Sequence, residues 1–140
     1  METEIRWLEN VHFEASSGSG HTVSIDGPPD AGGQNQGVRP MELMLMGVGG
    51  CTSFDVVSIL TKGRQKVTNC VTRITARRAD TVPEVFEEIA IHFVVEGDGL
   101  DEKKVARAIE LTADKYCSAS IMLQRAGVDI RHTFEVTQTR

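Results

Sequence analysis

The stretch Arg39-Pro40-Met41-Glu42-Leu43-Met44-Leu45-Met46-Gly47-Val48-Gly49-Gly50-Cys51-Thr52 decides how this chain is read. Pro40 suits the first turn of a helix, where a missing N–H removes no hydrogen bond. From there the pattern predicts a helix to about Lys62 or Gly63. Its apolar residues are Met41, Leu43, Met44, Leu45, Met46, Val48, Phe54, Val56, Val57, Ile59 and Leu60. They lie on every side of the helical wheel, so the helix is expected to be buried on most sides. Gly47, Gly49 and Gly50 each cost about 1 kcal/mol relative to alanine inside a helix. Three in four residues predict close approach of another backbone, or room for a ligand beside Cys51.

Upstream, Thr3 to Ala15 reads as a strand carrying Ile5, Trp7, Val11 and Phe13. Ser16 to Gly20 is a turn. His21 to Asp26 alternates, with Val23 and Ile25 on one face, and completes an antiparallel hairpin. Gly27 to Val38 is one long irregular loop, a length that in a compact domain points to function or mobility. Downstream, Lys66 to Asp80 reads as a strand and Thr81-Val82-Pro83-Glu84 as a turn. Val85 to Glu96 is the clearest strand, with Ile89, Ile91, Phe93 and Val95 alternating against Glu88, Ala90, His92 and Val94. Asp101 is a helix cap. Val105, Ala108, Ile109, Thr112, Ala113 and Tyr116 follow on one helical stripe. Ser118 is placed to cap a second helix through Arg125, which Gly127 ends. Val128 to Thr137 closes the chain as a strand.

This order is strands, helix, two strands, two helices, strand. It predicts an α+β fold with a largely antiparallel sheet. A length of 140 residues predicts a single domain over 1–140. A long helix that is apolar all round is hard to bury in so short a chain, and oligomerisation would cover it.

Composition narrows the function. The hydrophobic fraction is 40%, the charged fraction 25% and the aromatic fraction 5%, so aliphatic residues and methionine must build the core. The net charge of −5 argues against nucleic acid, which demands a surplus of Lys and Arg. It argues equally against an anionic membrane surface. The longest unbroken apolar run, Leu43 to Cys51, is far short of the roughly 20 residues of a membrane span. METEIRWLEN does not read as a signal peptide, so a cytoplasmic location is expected.

The three cysteines are Cys51, Cys70 and Cys117, with no CxxC pair. An odd count without a secretion signal does not read as a disulfide framework. His12, His21, His92 and His132 are scattered, and no Cys/His spacing suggests zinc. No metal or organic cofactor is expected. Cys51 sits in the glycine-rich helix and Cys117 near the start of another, where the helix field favours a thiolate. If the two face each other, one can be oxidised to a sulfenic acid and the other can condense with it. Buried, inert packing is the alternative for either. Cys70, on a strand, reads as filler.

The segment from Arg39 to Thr52 resembles the first cysteine motif of the OsmC/Ohr superfamily (osmotically inducible protein C and organic hydroperoxide resistance protein). That motif has a Pro, a Glu and a Leu, then small residues, then a Cys eleven positions after the Pro, as Pro40 and Cys51 are. Ala76 to Gly97 is similar to the family's central hairpin through Arg78-Ala79-Asp80, Pro83 and Phe86. Tyr116-Cys117-Ser118-Ala119-Ser120 resembles its second motif, Cys-x-x-Ser. The resemblance covers nearly the whole chain.

It implies an OsmC/Ohr-like fold, with mostly antiparallel sheets around a long buried central helix, and an intertwined homodimer with active sites at the subunit interface. It also implies reduction of organic hydroperoxides to alcohols. Cys51 is then the attacking thiolate, Cys117 the resolving thiol, and an external dithiol the reductant. Two positions depart from the pattern. Met41 follows Pro40 where the hydroperoxide reductases carry Glu, so Glu42 stands one residue later. The turn that supplies their Arg has none here, and Arg39 is the nearest substitute. The candidate catalytic set is therefore Cys51, Cys117, Arg39 and Glu42. Met44, Gly47 and Asp55 are candidate pocket residues. Asp55, one turn after Cys51, is placed to accept a proton or to hold Arg39; pairing with a structural Arg or capping a neighbouring strand is the alternative. The alternative is a binding protein that holds a small apolar or thiol-containing molecule at the dimer interface, without turnover.

Overall fold

The computed structural model describes residues 1–139. They form two compact units, residues 1–46 and residues 47 onward. The boundary falls inside one continuous helix, α1 (Pro40–Lys62), whose limits match those read from the sequence.

The first unit is a three-stranded antiparallel sheet in the order β1 (Thr3–Glu9), β2 (His12–Ser17), β3 (Thr22–Asp26). The single strand expected from Thr3 to Ala15 is two strands. Asn10 takes a left-handed conformation, φ 48°, which asparagine tolerates better than most residues. Its carbonyl accepts the Trp7 indole N–H at 2.9 Å. The chain therefore reverses there, and a meander replaces the simple hairpin.

The loop after β3 is held in place by Asp26, a residue only 1% exposed. Its carboxylate accepts the backbone N–H groups of Gly27 at 2.8 Å, Gln34 at 3.0 Å and Gln36 at 3.1 Å. The donors from Gln36 and Gln34 lead in holding its pKa below the usual carboxylate range. The loop then returns to β3. Val38 N–H donates to the Ser24 carbonyl, and Asp26 N–H to the Val38 carbonyl, both at 3.0 Å. A side chain at Gly37 would run into the Ser24 backbone, so glycine is required for that return.

The second unit is a three-stranded sheet in the order β4 (Lys66–Arg78), β5 (Phe86–Asp98), β6 (Asp129–Gln138). β4 and β5 are antiparallel and β5 and β6 parallel. A parallel neighbour needs a long crossover. Helices α2 (Glu102–Leu111) and α3 (Ser118–Arg125) supply it. On β5, Ile89, Ile91, Phe93 and Val95 are almost completely buried, as their alternation predicts. Their cross-strand partners include Thr72 and Ile74 of β4 and Phe134 of β6. Helix α1 lies on this face. Ser53 and Thr72 share a hydroxyl hydrogen bond of 2.6 Å, and the Ile74 Cδ1 atom stands 2.8 Å from where a Gly49 Cβ would be. Gly49 thus answers to close approach, while Gly47 and Gly50 face open space.

Three readings of the helices need correction. Within the single chain α1 buries one stripe, Val48, Thr52, Val56 and Leu60, rather than most of its surface, and Phe54 is 72% exposed. The stripe repeats every four residues because one flat sheet can cover only one side of a helix. Helix α2 is capped by Asp101 as expected, through Lys103 N–H at 2.9 Å, but it does not run regularly to Tyr116. Residues Thr112–Tyr116 form a wider π turn, which leaves Thr112 and Ala113 buried and swings Tyr116 out to 48% exposure. Finally, Cys117 rather than Ser118 occupies the cap position of α3, with no side-chain capping bond.

By length and composition α1 is apolar enough to cross a membrane, a property that core helices share. The count of its longest unbroken apolar run understated this.

Candidate active site

The second unit brings together three side chains from two elements. Cys51 and Asp55 stand one turn apart on α1, and Cys117 ends the π turn. Their donor atoms, two sulfurs and a carboxylate oxygen, all lie within 4.8 Å of one another. The sixty-five residues between the two cysteines are folded out by the β4–β5 hairpin and the crossover helices.

The π turn fixes Cys117. Its N–H donates to the Thr112 carbonyl at 2.9 Å, closing the wide turn, and the residue then takes an extended conformation, φ −75° and ψ 100°. The sulfur is carried under α3 and is completely buried. Burial pushes the thiol pKa up, because a thiolate loses its hydration there. Two groups oppose this, the hydroxyl and the backbone N–H of Ser120, and the neighbouring Cys51 adds to the rise. The helix start was expected to favour a thiolate at Cys117. The burial of the sulfur acts against that expectation and favours the protonated thiol.

Cys51 differs from its partner in access. It is half-buried and lies in the middle of α1, remote from either helix end. Asp55 Oδ2 is buried with no hydrogen-bond partner among the described residues. Such an acceptor keeps its full desolvation penalty, roughly 1–3 kcal/mol.

Arg39 and Glu42 belong to the first unit, and their bonds define the start of α1. Glu42 Oε1 accepts the Arg39 backbone N–H at 2.9 Å, which is one half of a capping box. The Arg39 guanidinium donates to the Gly37 carbonyl at 3.1 Å. Met44 is exposed and Gly47 is open to solvent.

From the sequence, Ser120 had no role beyond its place in the Cys-x-x-Ser motif, and His132 had none. Ser120 is fully buried and supports the Cys117 sulfur, and the Cys-x-x-Ser spacing across a helix start is the signal for it. His132 on β6 stacks on Phe93, with ring centroids 6.3 Å apart. Burial lowers its pKa and Asp114 partly restores it. Alternation along β6 places it on the core face, but nothing in the sequence marks it further. Cys70 is half-buried on β4 with its pKa raised by burial, in keeping with a packing role. A cleft of about 450 Å³ lies along the outer side of the π turn and α3, lined among others by Tyr116, Ser118, Met122 and Arg125.

An α+β fold with two three-stranded sheets, a long glycine-bearing helix and a cysteine pair across it defines a class of protein. The chain belongs to the OsmC-like protein family, whose profile matches residues 33–133. It is 43% identical over 136 residues to Protein YhfA of Escherichia coli (strain K12), a match spanning 97% of this chain and 98% of that protein. A hypothetical protein from Aquifex aeolicus VF5 shares the structure with a TM-score of 0.86 at 28% identity, over 99% of this chain and 97% of that one. An organic hydroperoxide resistance protein OsmC from Legionella pneumophila shares the fold with a TM-score of 0.71 at 16% identity, over 96% and 95%. The OsmC/Ohr fold expected from the cysteine motifs is therefore the one observed.

Proposed function

We propose that this protein is a cysteine-based reductase of organic hydroperoxides that works as a homodimer. One observation carries the reading: two sulfurs within 4.8 Å, one half-buried and one fully buried. The accessible sulfur, Cys51, meets the peroxide first. Its thiolate attacks the terminal peroxide oxygen and the O–O bond breaks. The alkoxide leaves and takes a proton to become the alcohol, and Cys51 becomes a sulfenic acid. The Cys117 thiol then attacks that sulfur, releasing water and forming the disulfide. An external dithiol exchanges with the disulfide, is itself oxidised, and returns both thiols. A buried resolving thiol that keeps its proton suits this order, because it neither competes for the peroxide nor overoxidises. Asp55, beside both sulfurs, takes the proton from Cys117 and passes it to the departing hydroxide, which leaves as water. Its need for a dithiol reductant fits a reducing, cytoplasmic setting.

Arg39 and Glu42 enter this reading as the residues that start α1. Their engagement there favours the second reading, a pocket that binds a small apolar or thiol-containing ligand. One experiment separates the two. Reduced protein mixed with cumene hydroperoxide should lose two thiols for each alcohol formed, and Cys51→Ser should abolish the reaction. Slow, unsaturable thiol loss together with a co-purifying ligand would select the binding protein.

A further inference from the structure

We propose that Cys51, Asp55 and Cys117 form a site for one thiophilic divalent cation of the zinc type, and that metal binding and disulfide formation exclude each other. The inference rests on the same sulfur pair as the hydroperoxide reading but adds a second state of that site. Tetrahedral Zn²⁺ takes sulfur at about 2.3 Å and carboxylate oxygen at about 2.0–2.2 Å, which places its donors roughly 3.5–3.8 Å apart. The three donor atoms here already stand within 4.8 Å of one another. A closure of about 1 Å would bring them to those separations. A second observation points to a ligand. Asp55, whose carboxylate belongs to this cluster, has in Oδ2 a buried acceptor without a hydrogen-bond partner among the described residues. A cation bound by both sulfurs would supply the missing partner.

The chemistry follows from the donors. Two thiols give up their protons to solvent and bind as thiolates, which offsets the burial that disfavours a bare Cys117 thiolate. Three protein donors leave a fourth position for water or a small molecule, the arrangement of an open rather than a closed zinc site. Sequence spacing could not announce it, because the ligands come from one turn of α1 and from the cap of α3. Oxidation of the pair to the disulfide removes both thiolates and releases the ion. The metal-bound protein is thus a protected form, in which hydroperoxide must first compete with the cation for Cys51.

Cobalt(II) is the probe, added to the reduced, metal-free full-length protein. One equivalent should produce a thiolate-to-cobalt charge-transfer band and the visible bands of a four-coordinate ion, and zinc should displace it. The disulfide form and Cys117→Ser should show no such band. Asp55→Asn should bind cobalt roughly tenfold or more weakly, and Cys70→Ser should bind it as the wild type does. A wild type with no band at stoichiometric cobalt overturns the site, as does an Asp55→Asn variant with unchanged affinity. Thiol loss to hydroperoxide, measured on the metal-free protein, is a separate readout. Cobalt binding without that reaction keeps the metal site and rejects the reductase. Reaction without binding does the reverse.

Discussion

At the scale of single residues, Cys117 and Asp26 show how burial and hydrogen bonding set charge. The Cys117 thiol is held above its ordinary pKa by desolvation, so the folded protein keeps a proton that the unfolded chain gives up. Its stabilising contribution is complete below the unfolded thiol pKa of about 8.5 and is lost as pH rises from there through the folded pKa. Reduced Cys117→Ser, whose hydroxyl does not titrate in that range, should lose less stability between neutral and alkaline pH than the wild type. Urea midpoints across that range check it, with Cys70, also raised, as a background common to both. Asp26 runs the other way. Three backbone donors hold its pKa down, so its contribution is full above the unfolded carboxylate pKa of about 3.9 and is lost as pH falls through the folded value. Asp26→Asn should lower the melting temperature at neutral pH and flatten the acid limb of the stability curve. The pairing of Cys51 with Cys117 was legible in the sequence through motif resemblance. The role of Asp26 was not, since its partners are backbone amides that no side-chain pattern encodes.

At the scale of elements, the three glycines of α1 separate into two kinds. Gly49 meets Ile74, while Gly47 points into open space. Replacing a helical glycine by alanine gains about 1 kcal/mol in propensity. At Gly49 that gain is opposed, because the Ile74 side chain must move aside, and overpacking costs about 1–3 kcal/mol. Gly47→Ala should therefore raise the melting temperature and Gly49→Ala should leave it unchanged or lower it. Equal increases at both positions would contradict the packing described. The limits of α1 were legible because Pro40 starts it and its propensity carries it to Lys62. The π turn was not. Val105, Ala108, Ile109, Thr112, Ala113 and Tyr116 fit a regular helix by spacing, and Tyr116 leaves that stripe only because Cys117 bonds back to Thr112. A bond made at the site overrode the local pattern. The break at Asn10 was hidden for a related reason: alternation continues on both sides of the reversal.

At the scale of the molecule, the open question is what covers the apolar surface. Phe54 on α1 is 72% exposed, and on the N-terminal sheet Trp7 is 65% exposed, with Ile5 and Leu8 also exposed. Soluble monomers rarely leave such surface in contiguous patches. The helix read as buried on most sides is covered on one stripe in the single chain, and its other apolar residues are partly or fully exposed there. A second copy is the economical partner, since closed symmetric dimers are the commonest assemblies of soluble chains. Light scattering on the purified protein should give twice the 15.3 kDa chain mass. Phe54→Asp places a charge on that surface without touching the buried stripe Val48, Thr52, Val56 and Leu60. It should yield a folded protomer with a native circular-dichroism spectrum and a mass near one chain. If the active sites need the interface, that variant should also lose peroxide-dependent thiol oxidation while keeping both cysteines. A wild type that runs as a monomer at micromolar concentration, or a Phe54→Asp protein that remains a full dimer, would show that this face is not the interface.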